Sequence, residues 1–480
     1  NKPFLKWLKK DSSHVYTWGE VGKKIFKLSE RIKTLIKEGD RCILLSENRP
    51  EWLIADLAIM NAGGISVPIF TTYAPNDYEY ILKDCTPSLI IVSSIEQLKK
   101  VKNFIKNEKI ISFEKTDEKN LYLEDIFKKE ERIEVEINKN LKRSMPACII
   151  YTSGTSGNPK GVILSHGGIL SNCEGALSLL RPLIEKKSPI FLTWLPLSHS
   201  YEHTVQFIQI LTQAKIFYAE SLEKLISNME EAKPTIMTAV PRFYQNLFTK
   251  INMNFNKQSG LKKILIFKTI QLGVKNLNQI KLNFIEKILN FICEKIVRKK
   301  VLGQFGGNLQ AFISGGGALD QKIGEFLNAI GLPTLQGYGL TEASPVVSCN
   351  TPELIKVETV GPAFFTNKVK IAEDGEILVK GENIMLGYWN KKKETDEVIK
   401  DNWLHTGDIG EIDRNGYLKI TDRKKDIIVN LGGDNISPTK IENILSLNEN
   451  IKQAFVYGDK KNYLVALIVA EKDINDDQIK

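Results

Sequence analysis

Residues 151–162 read Tyr-Thr-Ser-Gly-Thr-Ser-Gly-Asn-Pro-Lys-Gly-Val, a run dense in groups that can hold an anion. Thr152, Ser153, Thr155 and Ser156 offer hydroxyl donors. Gly154 and Gly157 allow backbone angles that point successive N–H groups into one concave site. Lys160 adds a full positive charge, and the whole suits a polyphosphate. The apolar stretch Ala147-Cys148-Ile149-Ile150 precedes the run and Val162-Ile163-Leu164 follows it, which predicts a loop between two strands of a hairpin. This is not a Walker A loop, where Gly directly precedes Lys and Ser or Thr follows before a helix. Here Pro159 precedes Lys160 and Gly161 follows it. From composition alone, the plainer alternative is a solvated Ser/Gly turn.

The order of residues weighs against that alternative. The run resembles the phosphate loop of the AMP-forming acyl-adenylate and acyl-CoA ligases. Other segments resemble that family's motifs, in the family's order. Gly337-Tyr338-Gly339-Leu340-Thr341-Glu342 is similar to its adenine and magnesium motif, and Ser314-Gly315-Gly316-Gly317-Ala318 to its adenine-floor loop. Leu195-Pro196-Leu197-Ser198-His199-Ser200-Tyr201-Glu202 resembles its acyl-pocket segment. Trp403-Leu404-His405-Thr406-Gly407-Asp408 and Asp422-Arg423-Lys424-Lys425-Asp426 resemble its ribose and hinge motifs. The resemblance covers nearly the whole chain. Its wording is closest to bacterial long-chain fatty acid–CoA ligases, as in Ser66-Val67-Pro68-Ile69 and Gly432-Gly433-Asp434-Asn435-Ile436-Ser437-Pro438.

The resemblance implies the reactants ATP, Mg2+ and coenzyme A and a set of roles. The 152–160 loop would hold the β- and γ-phosphates, Thr341 the α-phosphate and Glu342 the magnesium. Tyr338 would stack on adenine, with Gln336 and the Gly315–Gly317 backbone at its polar edge. Gly337, Gly339 and Ala318 would complete the nucleotide site. Asp408 would accept from the ribose hydroxyls and Arg423 donate to them. His199, Ser200 and Tyr201 would line the acyl pocket, with His199 by the carboxylate. Lys425 would be the hinge of a small C-terminal domain, and Gly432-Gly433 would approach the pantetheine arm of coenzyme A. The expected reaction joins an acid, a long-chain fatty acid first of all, to AMP with loss of pyrophosphate, then to coenzyme A. The alternatives are another acid–CoA ligase, an acyl-AMP ligase loading a carrier protein, and a non-catalytic membrane-associated scaffold. The family normally carries a further catalytic lysine that would fall beyond Lys480, and both ends of the sequence read as cut.

These residues need a frame to position them. At 480 residues with 42% hydrophobic content, more than one core is expected. Residues 1–140 alternate helical and strand patterns: helices over 21–36 and 52–61, strands over 42–45, 66–69 and 89–92. Such alternation predicts a layered α/β fold, with the motifs at strand ends. From residue 368 the pattern turns to short strands and Gly/Asp turns, a small β subdomain over about 360–421. The expected division is an adenylation domain over 1–421, a hinge at 422–425 and a partial α+β domain over 426–480.

No apolar run reaches the ~18 residues that cross a bilayer. The six cysteines are scattered without a Cys-x-x-Cys, which points to reduced thiols and a cytoplasmic setting. The net charge of +9 is uneven, because residues 242–300 alone carry thirteen Lys/Arg against Glu286 and Glu294. Ile285, Ile288, Ile292 and Ile296 fall on one helical face within that segment. A basic amphipathic helix over 262–300 can dock on an anionic membrane, and the plainer reading is an ordinary lysine-rich surface helix. No nucleic-acid module accompanies the charge.

Overall fold

A computed structural model describes residues 2–9, 14–106, 108–116, 120–128, 137–152, 158–424, 426, 428–429, 435–436, 438–445, 448, 450–459, 461 and 463–470. Among these, two eight-stranded sheets form the body. The first runs, in spatial order, Gly387–Tyr388, Lys160–Ser165, Pro146–Thr152, Ile65–Pro68, Arg41–Leu45, Leu89–Val92, Lys109–Ser112 and Leu121–Tyr122. Its central strands pair parallel, and Ile43, Leu44, Leu45, Leu89, Ile90, Ile91 and Val92 are all fully buried. Strands covered on both faces read as continuous apolar runs, which is why these segments were visible in the sequence.

The second sheet has the order Val346–Cys349, Thr334–Gly339, Ala311–Ser314, Ile236–Ala239, Ile190–Thr193, Lys215–Tyr218, Pro3–Trp7 and Val15–Thr17. Between the sheets lie helices His166–Ile184 and Ser200–Leu211. One core cluster joins Cys148, Ile150 and Val162 of the first sheet, Ile169, Cys173, Val205 and Ile208 of the helices, and Phe191, Ile236 and Leu335 of the second sheet. Ser165 starts the first of these helices, its hydroxyl accepting from the Gly168 amide at 2.9 Å. The layered α/β expectation is met.

A smaller antiparallel sheet follows: Asn367–Ile371, Glu376–Gly381, Trp403–Ile412 and Ile399–Lys400, with Leu418–Arg423 paired to Trp403–Ile412. The chain leaves this sheet once, when Gly387–Tyr388 returns to pair with Lys160–Ser165 of the first sheet. After Arg423 the described residues include helix Pro438–Leu445 and the paired strands Ile451–Tyr457 and Val465–Ala470. All six cysteines are buried and unpaired. Among the described residues, no helix is long and apolar enough to cross a membrane.

Candidate active site

The glycine-rich run sits at the tip of a hairpin, as its flanking residues predict. Thr152 pairs with Lys160 as the last rung of the antiparallel ladder between Pro146–Thr152 and Lys160–Ser165. Ser153, Gly154, Thr155, Ser156 and Gly157 lie outside the described residues. The hairpin aims Lys160 across to a residue that no motif had singled out. Its ammonium stands 5.1 Å from the ring centroid of Tyr388, within cation–π range. The Tyr388 hydroxyl donates to Glu342 Oε1 at 2.8 Å. Burial, then the Glu342 carboxylate, raises the Tyr388 pKa far above its ordinary value, so the phenol stays a donor.

Glu342 belongs to the short helical turn Thr341–Ala343, which ends with Ser344 in the left-handed region at φ 62°. The Thr341 hydroxyl lies 3.0 Å from that of Ser200. Ser200 opens helix Ser200–Leu211, and His199 caps it, Nδ1 accepting from the Tyr201 amide at 3.1 Å. An accepting Nδ1 leaves the proton of the neutral ring on Nε2. Desolvation by its surroundings lowers the His199 pKa and favours this neutral form.

Tyr201 reaches the second sheet, where its hydroxyl donates to the Ile313 carbonyl at 3.1 Å. A Cβ at Gly315 would stand 2.9 Å from the Tyr201 ring, so only glycine fits there. Gly316, at φ +77°, turns the chain into an exposed loop with Gly317 and Ala318.

Tyr338, Asp408 and Arg423 also meet. The Tyr338 hydroxyl donates to Asp408 Oδ2 at 2.5 Å, and Arg423 Nε lies 3.3 Å from Asp408 Oδ1. Asp408 and Arg423 are direct partners across the Trp403–Ile412 and Leu418–Arg423 ladder. Burial raises the Asp408 pKa, with Tyr338 and Arg423 opposing it. Gly337 and Gly339 flank Tyr338 in the strand Thr334–Gly339.

Gln336 departs from its expected place. It is buried, both amide hydrogens go to the Val357 and Thr359 carbonyls, and its oxygen accepts from the Leu319 amide. With both donors given to backbone carbonyls, Gln336 fastens the loop beyond Gly317 and has no N–H left to offer an adenine edge. Lys425, Gly432 and Gly433 lie outside the described residues. Just before them, the Lys424 ammonium contacts Asp374 at 2.6 Å and Glu376 at 3.1 Å, and its amide donates to the Gly407 carbonyl. Burial pushes Glu376 up, but His405, the Gly407 amide and Lys424 outweigh it and hold the carboxyl below its ordinary range.

Behind the site, motif reading missed two buried polar groups. His203 bonds Asp56 at 3.0 Å, Asp56 accepts from Ser66 at 2.5 Å, and Cys148 Sγ lies 4.0 Å from His203 Nδ1. All four side chains are fully buried where helix Ser200–Leu211 meets the first sheet. Burial alone would favour neutral imidazole, but Asp56 reverses it and raises the His203 pKa. The sequence held no signal for the group, since its members come from separate elements. The second is a seam of Glu202, Gln206 and Gln209, one face of the same helix. Glu202 accepts from Thr238 at 2.7 Å, and Gln206 bonds Thr193, Gln209 and Tyr218.

The arrangement gathers a lysine, a lone carboxylate, paired hydroxyls, a neutral imidazole and a phenol–carboxylate–guanidinium triplet around one set of strand ends. These are the ingredients for holding a nucleotide polyphosphate against a carboxylic acid. Comparisons with known proteins identify the family. A family model described as "AMP-binding enzyme" matches residues 1–389. The chain belongs to the AMP-binding enzyme family. The model of the family's C-terminal domain matches residues 425–480. This AMP-binding enzyme is 31% identical to long chain acyl-CoA synthetase 3 of Arabidopsis thaliana, over 95% of this chain and 73% of that protein. It is 28% identical to the long-chain-fatty-acid–CoA ligase FadD15 of Mycobacterium tuberculosis, over 91% and 74% respectively. Among solved structures, ATP-bound MatB from Rhodopseudomonas palustris superposes with a TM-score of 0.76 at 21% identity, covering 100% of this chain and 88% of that one. The o-succinylbenzoate CoA synthetase of Bacillus subtilis with its acyl-adenylate gives 0.75 at 21% identity, with the same coverage. At that identity these structures bear on the fold. The enzyme is an AMP-forming acid–thiol ligase.

Proposed function

We propose that this enzyme activates a long-chain fatty acid as its acyl-adenylate and transfers the acyl group to coenzyme A. The observation that carries the reading is the contact run Lys160–Tyr388–Glu342, with Ser200 against Thr341 one residue away. It brings the phosphate hairpin, the Thr-Glu turn and the acyl-pocket helix to one place. The names of the relatives favour long-chain fatty acids.

In the first step a carboxylate oxygen attacks the α-phosphorus, the bond from that phosphorus to the bridging oxygen breaks, and pyrophosphate leaves. Two anions must approach, so the site has to supply positive charge and oriented donors. Lys160 and the hairpin loop hold the β- and γ-phosphates, and Thr341 donates to the α-phosphate. His199 donates from Nε2 to the acid carboxylate. Asp408 and Arg423 exchange part of their mutual pairing for the ribose hydroxyls, beside the Tyr338 ring. In the second step the thiol gives up its proton to solvent, its sulfur attacks the acyl carbon, the carbon–oxygen bond to phosphate breaks, and AMP leaves.

Glu342 fits a magnesium ion held mainly by phosphate oxygens and water. Among the described residues no cluster of three acidic, His or Cys side chains offers a full protein cage, and magnesium is commonly bound through one or two carboxylates plus phosphate. Such an ion would neutralise charge on the polyphosphate. We carry the division into residues 1–421, a hinge at 422–425 with Lys425, and 426–480 as part of this reading. Gly432 and Gly433 serve the pantetheine arm in it. Peripheral membrane contact belongs to the proposal too.

The test is a pyrophosphate-release screen over acids of increasing chain length, with and without coenzyme A. Expected is acid-dependent release that favours long chains, and thioester formation only with coenzyme A. A preference for short or aromatic acids would overturn the substrate. Acyl-AMP that accumulates whether or not coenzyme A is present would overturn the acceptor.

A further inference from the structure

Helices Gly260–Leu277 and Phe284–Cys293 form a hairpin that shows its apolar side to the outside. On the second helix Phe284, Ile285, Ile288, Phe291 and Ile292 share one face at helical spacing, 78%, 75%, 50%, 62% and 38% exposed. The first helix adds Leu261, Ile264 and Phe267, at 84%, 59% and 58%. A groove lined by Gly260, Lys263, Ile264, Phe267, Lys268 and Gln271 runs along it, away from the active site.

The exposure is not that of a loose end, because the opposite side of the hairpin is fastened inward, with Leu265, Ile266 and Ile270 packed against the core and Leu272 and Cys293 buried. Arg298 is buried, donating to the Ala329 and Thr269 carbonyls and to Asn290. Gly273 allows the first helix to press against Ala329, where a Cβ would come within 2.6 Å. Arg298 is therefore a structural bolt and not part of the basic surface expected over 262–300.

Charge decides what covers the ridge. Residues 260–300 hold ten Lys/Arg and two Glu. Both glutamates are spent, Glu286 on Lys275 and Glu294 on Arg298. Lys263, Lys268, Lys287 and Lys295 flank the apolar ridge, with the Lys295 ammonium 5.5 Å from the Phe291 ring. A second copy of the chain would set two such positive surfaces face to face. An anionic bilayer complements both features at once, because apolar side chains enter the headgroup–acyl boundary while lysines reach the phosphates.

We propose that this hairpin docks the enzyme on anionic lipid. The surface stands on exposure and charge alone, whichever acid is activated. Helix Pro241–Asn256 begins beside Gly317 and leads into the hairpin, so a docked enzyme would meet its substrate where a long-chain acid partitions.

The test is co-sedimentation of the purified protein with phosphatidylcholine vesicles, with and without phosphatidylglycerol. Wild type should bind the anionic vesicles, release them at high salt and ignore the neutral ones. The triple change Phe284→Gln, Ile288→Gln, Phe291→Gln should weaken binding about tenfold or more. Lys263→Gln with Lys287→Gln and Lys295→Gln should remove the preference for anionic lipid. All of these side chains are exposed, so both variants should keep their melting temperature and their adenylation of a soluble short acid, which separates docking from the catalytic reading. Wild type left in solution at low salt, or an apolar variant that binds like wild type, overturns the proposal. A concentration-dependent dimer that the triple change abolishes, in a protein that does not bind vesicles, assigns the face to a second copy and overturns it equally.

Discussion

A phenol hydroxyl 2.8 Å from Glu342 Oε1 fixes how that carboxylate faces the hairpin. Tyr388→Phe removes the donor and leaves the ring under Lys160. A hydrogen bond to a charged group contributes about 1.5–3 kcal/mol, so adenylation should fall roughly tenfold or more while the ring contact survives. Excess magnesium should recover part of the loss if Glu342 is the metal ligand. Glu342→Ala should cost on the order of 100-fold or more, as removal of a preorganised charge stabiliser does. Pyrophosphate release against magnesium concentration reads both, and an unchanged magnesium dependence in the two variants would sink the assignment. At this scale the sequence marks Lys160, Thr341, Glu342, Asp408 and Arg423 as candidates, because their neighbours form specific runs. It was silent on Tyr388, because a lone tyrosine carries no signature and its partner is brought by the fold. Gln336 shows the reverse failure: it stands inside a motif but spends its amide on the backbone.

Helix Ser200–Leu211 joins these residues to the layers behind them, and it carries a buried carboxyl whose titration couples to stability. Burial raises the Glu202 pKa to about 7, with the Thr238 hydrogen bond opposing only in part. Below the ordinary carboxyl range the group is neutral in both folded and unfolded chains. Between that range and about pH 7 the unfolded chain releases a proton that the folded one keeps, so stability falls as pH rises, by about 3 kcal/mol in all. Glu202→Gln should flatten this slope. Urea midpoints should therefore match wild type near about pH 4 and exceed it near about pH 8. A mutant midpoint below wild type at the higher pH would show that Glu202 is ionised and paired. Glu202, Gln206 and Gln209 share one polar face of this helix. Helices between two sheets have no wet face, and the seam is satisfied by Thr193, Tyr218 and Thr238 instead. Periodicity reports that a face is polar and cannot say what lies opposite. Helix boundaries failed for a simpler reason. The predicted 21–36 helix runs Trp18–Lys33, started by a Thr17–Glu20 capping box.

Across the whole molecule, the layered architecture was legible because buried parallel strands write themselves as apolar runs. The hairpin over 260–293 was half legible: its stripe and charge stood in the sequence, but only packing reveals that the stripe faces out while Leu265, Ile266 and Ile270 pack inward. The junction before residue 425 carries a further prediction. Lys424 ties the chain to Asp374 and Glu376 of the small sheet, immediately ahead of the proposed hinge. Lys424 is itself exposed, and the buried Glu376 keeps His405 and the Gly407 amide without it, so the pairs contribute about 1 kcal/mol and Lys424→Ala should lower the melting temperature only slightly. The same small energy applied at a pivot shifts the balance between two domain positions by about fivefold. Acyl-AMP formation and acyl transfer should therefore change in opposite directions, and high salt should make wild type resemble the mutant. Equal change in both steps would show that Lys424 is no latch.

The strand Gly387–Tyr388 has a meaning for anyone who dissects the chain. It is the cover on Lys160–Ser165, whose Val162, Ile163 and Leu164 make an apolar border for the first sheet. Unpaired β borders recruit other chains. A fragment cut before residue 387 loses that cover and leaves bare backbone donors and acceptors beside the nucleotide hairpin, so it should clump with its own kind. A fragment that keeps Trp389, whose amide also closes onto the Gly161 carbonyl at 2.7 Å, retains the seal. Two residues borrowed from the far side of the sequence thus serve as a guard against self-association.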